Sequence, residues 1–420
     1  MSKHGTKRRG LRALVVILII IGCLGVIAGS FALANVVSKS GMKKYVDGFE
    51  KIEYASQLTP VLEDGYWTFT TDNDLKVLQF TDVHIGGGTL SKNKDMWALN
   101  AVATMIKAEK PDLVVVTGDI AYPVPFSSGS FNNLVPTELF AEMMEKLGVY
   151  WTFVFGNHDT EMYSYYSRKE LTEYYEKKID NGDFKYCLFQ RGNASEELGY
   201  GNTLINVKNS AGVTTQSLVL LDSHSYIDHD YFGMLWKYDN LHESQVEWYA
   251  GEMDKIKEKN AAKGYDQYAK NLAFFHIPLV EYRDAYKYLL ENDEDETAKW
   301  FHKNDGRVES DKTKNGVRTY SVYCGYNEDS FFEEGQTHGL QGVFCGHDHY
   351  NNFSIDYKGV RLTYGYSVDY LAYPGIWKER IQRGCTIITC SPDGSFDMEY
   401  SNYYNEKYEA VNKLAGDKNY

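Results

Sequence analysis

The chain begins with a stretch whose polarity pattern has no period at all. From Ala13 to Val37 no charged residue occurs, and the 25 residues ALVVILIIIGCLGVIAGSFALANVV are apolar almost throughout. About 20 helical residues cross the hydrocarbon core of a bilayer, so this run is long enough to span one. Residues 38–75 are polar and mixed and read as a stalk or leading segment. From residue 76 a rhythm sets in: the apolar run KVLQFT (76–81), a helical stretch over Asp95–Glu109, the strand DLVVVTG (112–118), a helix over Pro136–Leu147 and the strand VYWTFVFG (149–156). That alternation predicts strand-helix units and a largely parallel sheet.

After Phe184 the pattern shortens. KYCLFQ (185–190), NTLINV (202–207) and TQSLVLLD (215–222) read as strands, followed by a long amphipathic helix over His242–Asn260. Buried strands recur at NLAFFH (271–276), GVFCGH (342–347) and GCTIITC (384–390), with the charge-rich segment 291–318 as an exposed insertion. The tyrosine-rich end, 401–420, reads as an exposed tail. With no internal repeat and no clean linker beyond residue 75, one catalytic domain is expected over 76–400.

Charge sets the direction of the apolar run. Lys3, Lys7, Arg8, Arg9 and Arg12 precede it, so residues 1–12 form a basic cytoplasmic end and the bulk of the chain is exported. Residues 13–37 are then a transmembrane anchor with an extracytoplasmic domain, or a signal peptide cleaved after Ala34 and a secreted domain, since Ala32-Leu33-Ala34 fits the small-x-small pattern. The formal charge of −14 hides an asymmetry, because residues 1–44 contain no Asp or Glu and the remainder sits near −22. Such a field repels polyanions and argues against nucleic acid as a partner, while a small phosphorylated substrate or a phosphoprotein remains compatible. The 6 cysteines show no CxxC spacing. Cys385 and Cys390 either pair across neighbouring strands or, like the others, are buried free thiols.

The chemistry-bearing residues gather where strands end. KVLQFT runs into Asp82-Val83-His84, DLVVVTG into Asp119, and VYWTFVFG into Asn157-His158-Asp159. Downstream, LAFFH delivers His276, and GVFCG delivers His347 and His349. Open α/β sheets place ligands at the carboxyl ends of their strands, and a recurrent set of Asp, Asn and His there suits two hard or borderline cations.

Together Asp82-x-His84, Gly118-Asp119, Gly156-Asn157-His158-Asp159, His276 and Gly346-His347-x-His349 resemble the five blocks of the calcineurin-like metallophosphoesterases, over roughly residues 76–400. FFHIPLVEY (274–282), GHDHYNNF (346–353) and RGCTII (383–388) are similar to its purple-acid-phosphatase-like branch. The resemblance implies a four-layer α/β/β/α sandwich of two mixed sheets flanked by helices. It implies that Asp82, His84 and His349 bind one metal, that Asn157, His276 and His347 bind a second, and that Asp119 bridges them. His158 is implied as the catalytic histidine beside the substrate, with Asp159 orienting it. The metals would be Fe, Mn or Zn. Tyr122 stands where true purple acid phosphatases place an iron-binding Tyr, but those enzymes have Gly in place of His84, so His84 is expected as the ligand and Tyr122 as a turn aromatic. The implied activity is hydrolysis of a phosphate monoester by a metal-bridging hydroxide. A phosphodiesterase with the same centre, or a non-catalytic binding protein of the same fold, is the alternative. Glu281 and the 291–330 region are candidate rim elements for specificity.

Overall fold

In the computed structural model the apolar run does not end at a stalk. A single helix, α1 (Lys3–Val46), carries it directly onto the folded domain, and it is the one helix among the described residues long and apolar enough to cross a membrane. The described residues are 3–409, apart from 196, 231–232, 305–312, 315–316, 319–321 and 374–382. From Leu14 to Val37 the large apolar side chains of α1 are exposed, whereas Ser38, Met42 and Val46 are buried. Lys39 pairs with Glu138 at 2.6 Å and Lys43 with Glu142 at 2.7 Å.

Of the two readings of residues 38–75, the leading segment is what the structure shows and the stalk is not: these residues belong to the domain. They hold the end of α1 and two strands, β1 (Val61–Glu63) and β2 (Tyr66–Thr70), at one edge of a large sheet. Next come β3 (Leu75–Phe80), α2 (Lys92–Glu109), β4 (Leu113–Thr117), α3 (Pro125–Ser128), α4 (Leu134–Leu147), β5 (Trp151–Val154) and α5 (Arg168–Asp180). The second half adds β6 (Thr203–Lys208), β7 (Thr214–Leu220), α6 (Glu243–Ala261), β8 (Lys270–Phe274), α7 (Val280–Glu291), β9 (Ala298–His302), the small hairpin β10 (Thr313–Lys314) and β11 (Val317–Arg318), and α8 (Phe331–Thr337). It closes with β12 (Leu340–Cys345), β13 (Ser354–Tyr357), β14 (Val360–Tyr364), β15 (Gly384–Cys390) and β16 (Phe396–Asn402).

The strands form a five-stranded sheet, β16-β15-β3-β4-β5, and a nine-stranded sheet, β1-β2-β6-β7-β8-β12-β14-β13-β9. Both are mixed. In the small sheet β3, β4 and β5 are parallel and β15 is antiparallel to β3; in the large one β7, β8, β12 and β14 run parallel. Strand residues point alternately to opposite faces, so a strand covered on both faces must be apolar at every position. β4 shows this: Val114 and Val116 face a cluster built with α2, α4 and α5, while Leu113 and Val115 face the other sheet. Leu218, Leu272 and Phe344 meet them from the large sheet, whose outer face is covered by α6, α7 and α8. The layers are helix, sheet, sheet, helix, with three apolar cores between them.

Four other expectations change. KYCLFQ forms no strand and meets β5 through a single bridge, Cys187 to Trp151, because Glu145 takes the backbone N–H groups of Lys185 and Tyr186. The 291–318 segment is not simply an exposed insertion, since β9 within it is an edge strand of the large sheet; residues 305–312 and 315–316 lie outside the described residues. The start of the expected tail is interior: Tyr403 and Tyr408 are buried, and the Tyr408 hydroxyl donates to Glu109 at 2.7 Å. Its residues 410–420 lie outside the described residues. Cys385 and Cys390 sit on one strand and are free, as are the other cysteines.

Candidate metal centre

Every residue expected as a metal ligand lies just past a strand end, and the two sheets bring them to one edge. Asp82 and His84 follow β3, Asp119 follows β4 and Asn157 follows β5, all in the small sheet; His276 follows β8, and His347 and His349 follow β12, in the large one. Reaching inward needs unusual backbone. Asp82, His84, Asp119 and His347 all adopt left-handed φ values, between 51° and 75°, a conformation that Asp, Asn and His tolerate better than other side chains and that clusters at functional sites. The glycines ahead of them make room. A Cβ on Gly346 would lie 1.7 Å from Thr81 Oγ1, and one on Gly156 would lie 2.1 Å from Asp119 Oδ1.

The side chains fall into two sets that share a carboxylate. Asp119 Oδ2 is 3.2 Å from His84 Nε2 and 3.2 Å from His276 Nε2, while its Oδ1 accepts the His158 backbone N–H at 2.8 Å. On one side of it, His349 Nε2 is 3.0 Å from Asp82 Oδ1. On the other, Asn157 Oδ1 is 3.1 Å from His276 Nε2 and 3.0 Å from His347 Nδ1. Asp82 Oδ2 accepts the His347 backbone N–H at 3.0 Å and lies 2.8 Å from Thr81 Oγ1.

The fit to cations can be read from what these atoms leave unsatisfied. Asp82 Oδ1 is buried with no hydrogen bond of good geometry and faces imidazole nitrogens, His349 Nε2 at 3.0 Å and His84 Nε2 at 3.9 Å, and the ligand atoms of Asp82, His84, Asp119 and His349 all lie within 4.8 Å of one another. Burial would push the Asp119 carboxyl up, but the imidazoles around it, His276 foremost, hold it well below the ordinary carboxylate range. Anionic oxygens and imidazole nitrogens converging in a buried space form a metal-binding donor set.

Residues outside the motifs aim these ligands. Asp369 accepts from His349 Nδ1 at 3.2 Å, turning that ring's Nε2 inward, and its charge also faces His84 Nδ1 across 3.6 Å. Thr117 O accepts from His276 Nδ1 at 2.8 Å. The Tyr226 hydroxyl accepts from Asn157 Nδ2 at 3.0 Å, which leaves the amide oxygen facing His276 and His347. Arg168 ties the loops together through hydrogen bonds to Gly156 O, Ser225 and Asp222.

His158 stands beside the ligands, its ring edge-on to His84 at 5.4 Å. Its expected partner is corrected. The Asp159 carboxylate accepts the backbone N–H groups of Asp119, Ala121 and Gly156 at 2.8–3.0 Å, clamping the ends of β4 and β5 and leaving the His158 ring to another group. Burial and the Asp119 charge push its carboxyl up to about 6. His158 Nδ1 instead meets Glu161 Oε1 at 2.7 Å, and the Tyr226 hydroxyl donates to the same oxygen at 3.0 Å. Tyr122 stacks on His84 at 4.6 Å with rings 13° apart.

A second cluster, His224, Asp239 and His242, brings three donor atoms together. Its two rings are stacked at 4.0 Å with planes 15° apart, so one ion cannot lie in both ring planes, and this cluster acts as packing at the rim.

The family model for calcineurin-like phosphoesterase matches residues 75–223. Among curated proteins, the chain is 28% identical over 338 residues to "Probable inactive purple acid phosphatase 14" of Arabidopsis thaliana, covering 75% of each. It is 26% identical to "Probable inactive purple acid phosphatase 29" of the same plant, covering 75% of this chain and 77% of the other. It is also 26% identical to "Phosphatase DCR2" of Saccharomyces cerevisiae, covering 68% of this chain and 46% of that one. Among solved structures it is similar to a dimetal phosphatase from Danio rerio, at 12% identity and a TM-score of 0.46, covering 80% of this chain and 98% of that one.

Proposed function

We propose, from the premise that this chain belongs to the calcineurin-like phosphoesterase family, that it hydrolyses phosphate monoesters at a pair of metal ions held between its two sheets. The observation that carries the reading is Asp119 Oδ2, equidistant at 3.2 Å from one imidazole of each ligand set. Two cations bound side by side could share such an oxygen. Asp82, His84 and His349 would hold the first cation, Asn157, His276 and His347 the second, with Asp119 between them. The bound pair would supply polarisation of the phosphoryl oxygens and acidification of a water.

The chain's own groups do the rest. His158 is the proton donor: Glu161 accepts from Nδ1 at 2.7 Å, and as the imidazolium, which that carboxylate stabilises, the ring hands its Nε2 proton to the leaving alkoxide. Tyr226 keeps the Asn157 amide turned and shares Glu161 with His158, linking ligand and acid in one network. The names of the similar proteins, phosphatases throughout, favour a monoester substrate. The basic residues ahead of the apolar run, Lys3 to Arg12, support a domain outside the cytoplasm.

The words "probable inactive" in two of those names favour a second reading, a metal-holding protein that does not turn over. Full-length protein loaded with Zn, Mn or Fe and assayed on p-nitrophenyl phosphate and its bis ester separates the two. Hydrolysis of the monoester is expected, and His158→Ala should keep both metals while losing about 10²- to 10⁴-fold in kcat. Two bound metals with no turnover of either ester would establish the second reading.

A further inference from the structure

The junction between α1 and the domain falls at the level where a membrane would end. Arg12 stops the apolar run from starting earlier, so a bilayer core entered at Ala13 is crossed after about 20 residues, near Ala32. At that level α1 touches the domain. The Phe31 ring packs on Gly129, with Cε1 3.2 Å from where a Cβ would stand. One turn later Asn35 donates to Gly129 O and accepts from the Thr89 backbone N–H, each at 2.8 Å. A deeper register would carry these loops into hydrocarbon, so the contacts fix the depth from the other side.

The loops held there are those of the metal centre. Thr89 is five residues after His84, which places that ligand's backbone at most about 18 Å from the Thr89 that Asn35 holds. The same loops expose apolar side chains to an unusual degree: Phe126 is 95% exposed, and Leu90, Phe131, Met162 and Tyr165 are exposed as well. Met162 and Tyr165 follow the turn that carries His158. Across the site, exposed Trp236 lies on the segment whose Tyr226 and Tyr238 contact Asn157 and His347. Between α1 and this face runs a cleft of about 470 Å³, lined by Phe31, Val36, Phe131 and Val135 and reaching Gly87. Its size is that of a small-molecule site.

We propose that this face lies in the headgroup layer of the membrane that holds α1, and that the cleft takes a membrane lipid and presents its phosphoester to the metal centre. What happens to the ester rests on the reading under Proposed function; the placement of the face and the occupant of the cleft do not.

The test uses the full chain in phosphatidylcholine liposomes containing 5% phosphatidic acid. A fluorophore is attached at Phe126→Cys, or at Asp393→Cys on the opposite edge, in a Cys23→Ser background. Nitroxide on the lipid headgroup should quench the first label by at least half and leave the second bright. Phosphatidic acid with a diazirine on its acyl chain should crosslink to the 129–136 stretch. In the same vesicles kcat/KM for phosphatidic acid should exceed that for glycerol 3-phosphate at least tenfold. Equal quenching at both labels, or no crosslink to that stretch, overturns the proposal, and so does equal turnover of the two esters. Quenching and crosslinking without hydrolysis of any ester, p-nitrophenyl phosphate included, would refute the hydrolytic reading and leave the lipid site standing.

Discussion

Asp369→Asn tests whether a residue outside every motif sets the metal affinity. Its carboxylate accepts from His349 Nδ1 at 3.2 Å and sets its charge 3.6 Å from His84 Nδ1. It also accepts the backbone N–H groups of Leu371, Ala372 and Tyr373 at 2.6–2.8 Å. An asparagine fits the same space but has one acceptor oxygen, so either the turn or the histidines lose their partner. Loss of one outer partner of a metal ligand typically weakens binding 10- to 100-fold, about 1.4 to 2.7 kcal/mol. With two ligands of the same cation affected, the expected loss is in the upper half of that range, about 30- to 100-fold for the first cation. The second cation, on Asn157, His276 and His347, should keep its affinity within about threefold. Competition titration of the metal-free protein with Zn²⁺ against a chelator measures both steps, and the melting temperature of the metal-free variant shows whether the fold survives. First-site affinity within threefold of the parent would refute the orienting role, and equal loss at both sites would refute its locality.

Other perturbations follow from the same geometry. Glu161→Gln should lower kcat at least tenfold with both metals retained, because it replaces the charged partner of His158 Nδ1; metal analysis beside the kinetics checks this. Gly346→Ala forces a methyl onto Thr81 Oγ1 and should destabilise the fold by at least about 1 to 3 kcal/mol, read by urea denaturation. Burial, with the charges of Asp329, Glu333 and Asp284 adding to it, pushes the Glu281 carboxyl up to about 7. A carboxyl raised on folding favours the native state below its unfolded value and loses that contribution as pH rises to about 7. Glu281→Gln should therefore raise the melting temperature at pH 8 and leave it nearly unchanged at pH 4, and a gain of equal size at both would sink the assignment.

The seven candidate ligands were legible because strand ends repeat one local pattern, an apolar run followed by Asp, Asn or His, and the fold supplies the convergence. Their supports were not. Asp369 lies 20 residues beyond His349 in a loop after β14, and Tyr226 lies 65 beyond Glu161, so no spacing links them to what they hold. Asp159 misled for a local reason. Adjacency in sequence suggests it as partner of His158, but the pair starts a 3₁₀ turn, in which residues three apart are stacked and neighbours diverge. That turn brings Glu161 under the ring and sends Asp159 back to the strands. The polar segment 38–75 only half disclosed its place in the domain, because the few apolar residues that anchor it, Met42, Val46 and Ile52, stand among lysines and glutamates that look like solvated charge in a sequence.

The left-handed backbone at Asp82, His84, Asp119 and His347 governs how the site can be dissected. A residue with an ordinary Cβ pays roughly 1 to 2 kcal/mol to stand there, while Asn and Gly stand there more easily. An alanine at any of the four removes a ligand and strains the chain at once, so its phenotype mixes lost coordination with a loosened loop. Asparagine or glycine at the same positions separates the two, and a difference between the Ala and Gly variants of one residue is a direct measure of how much of the site's shape is held by backbone rather than by metal.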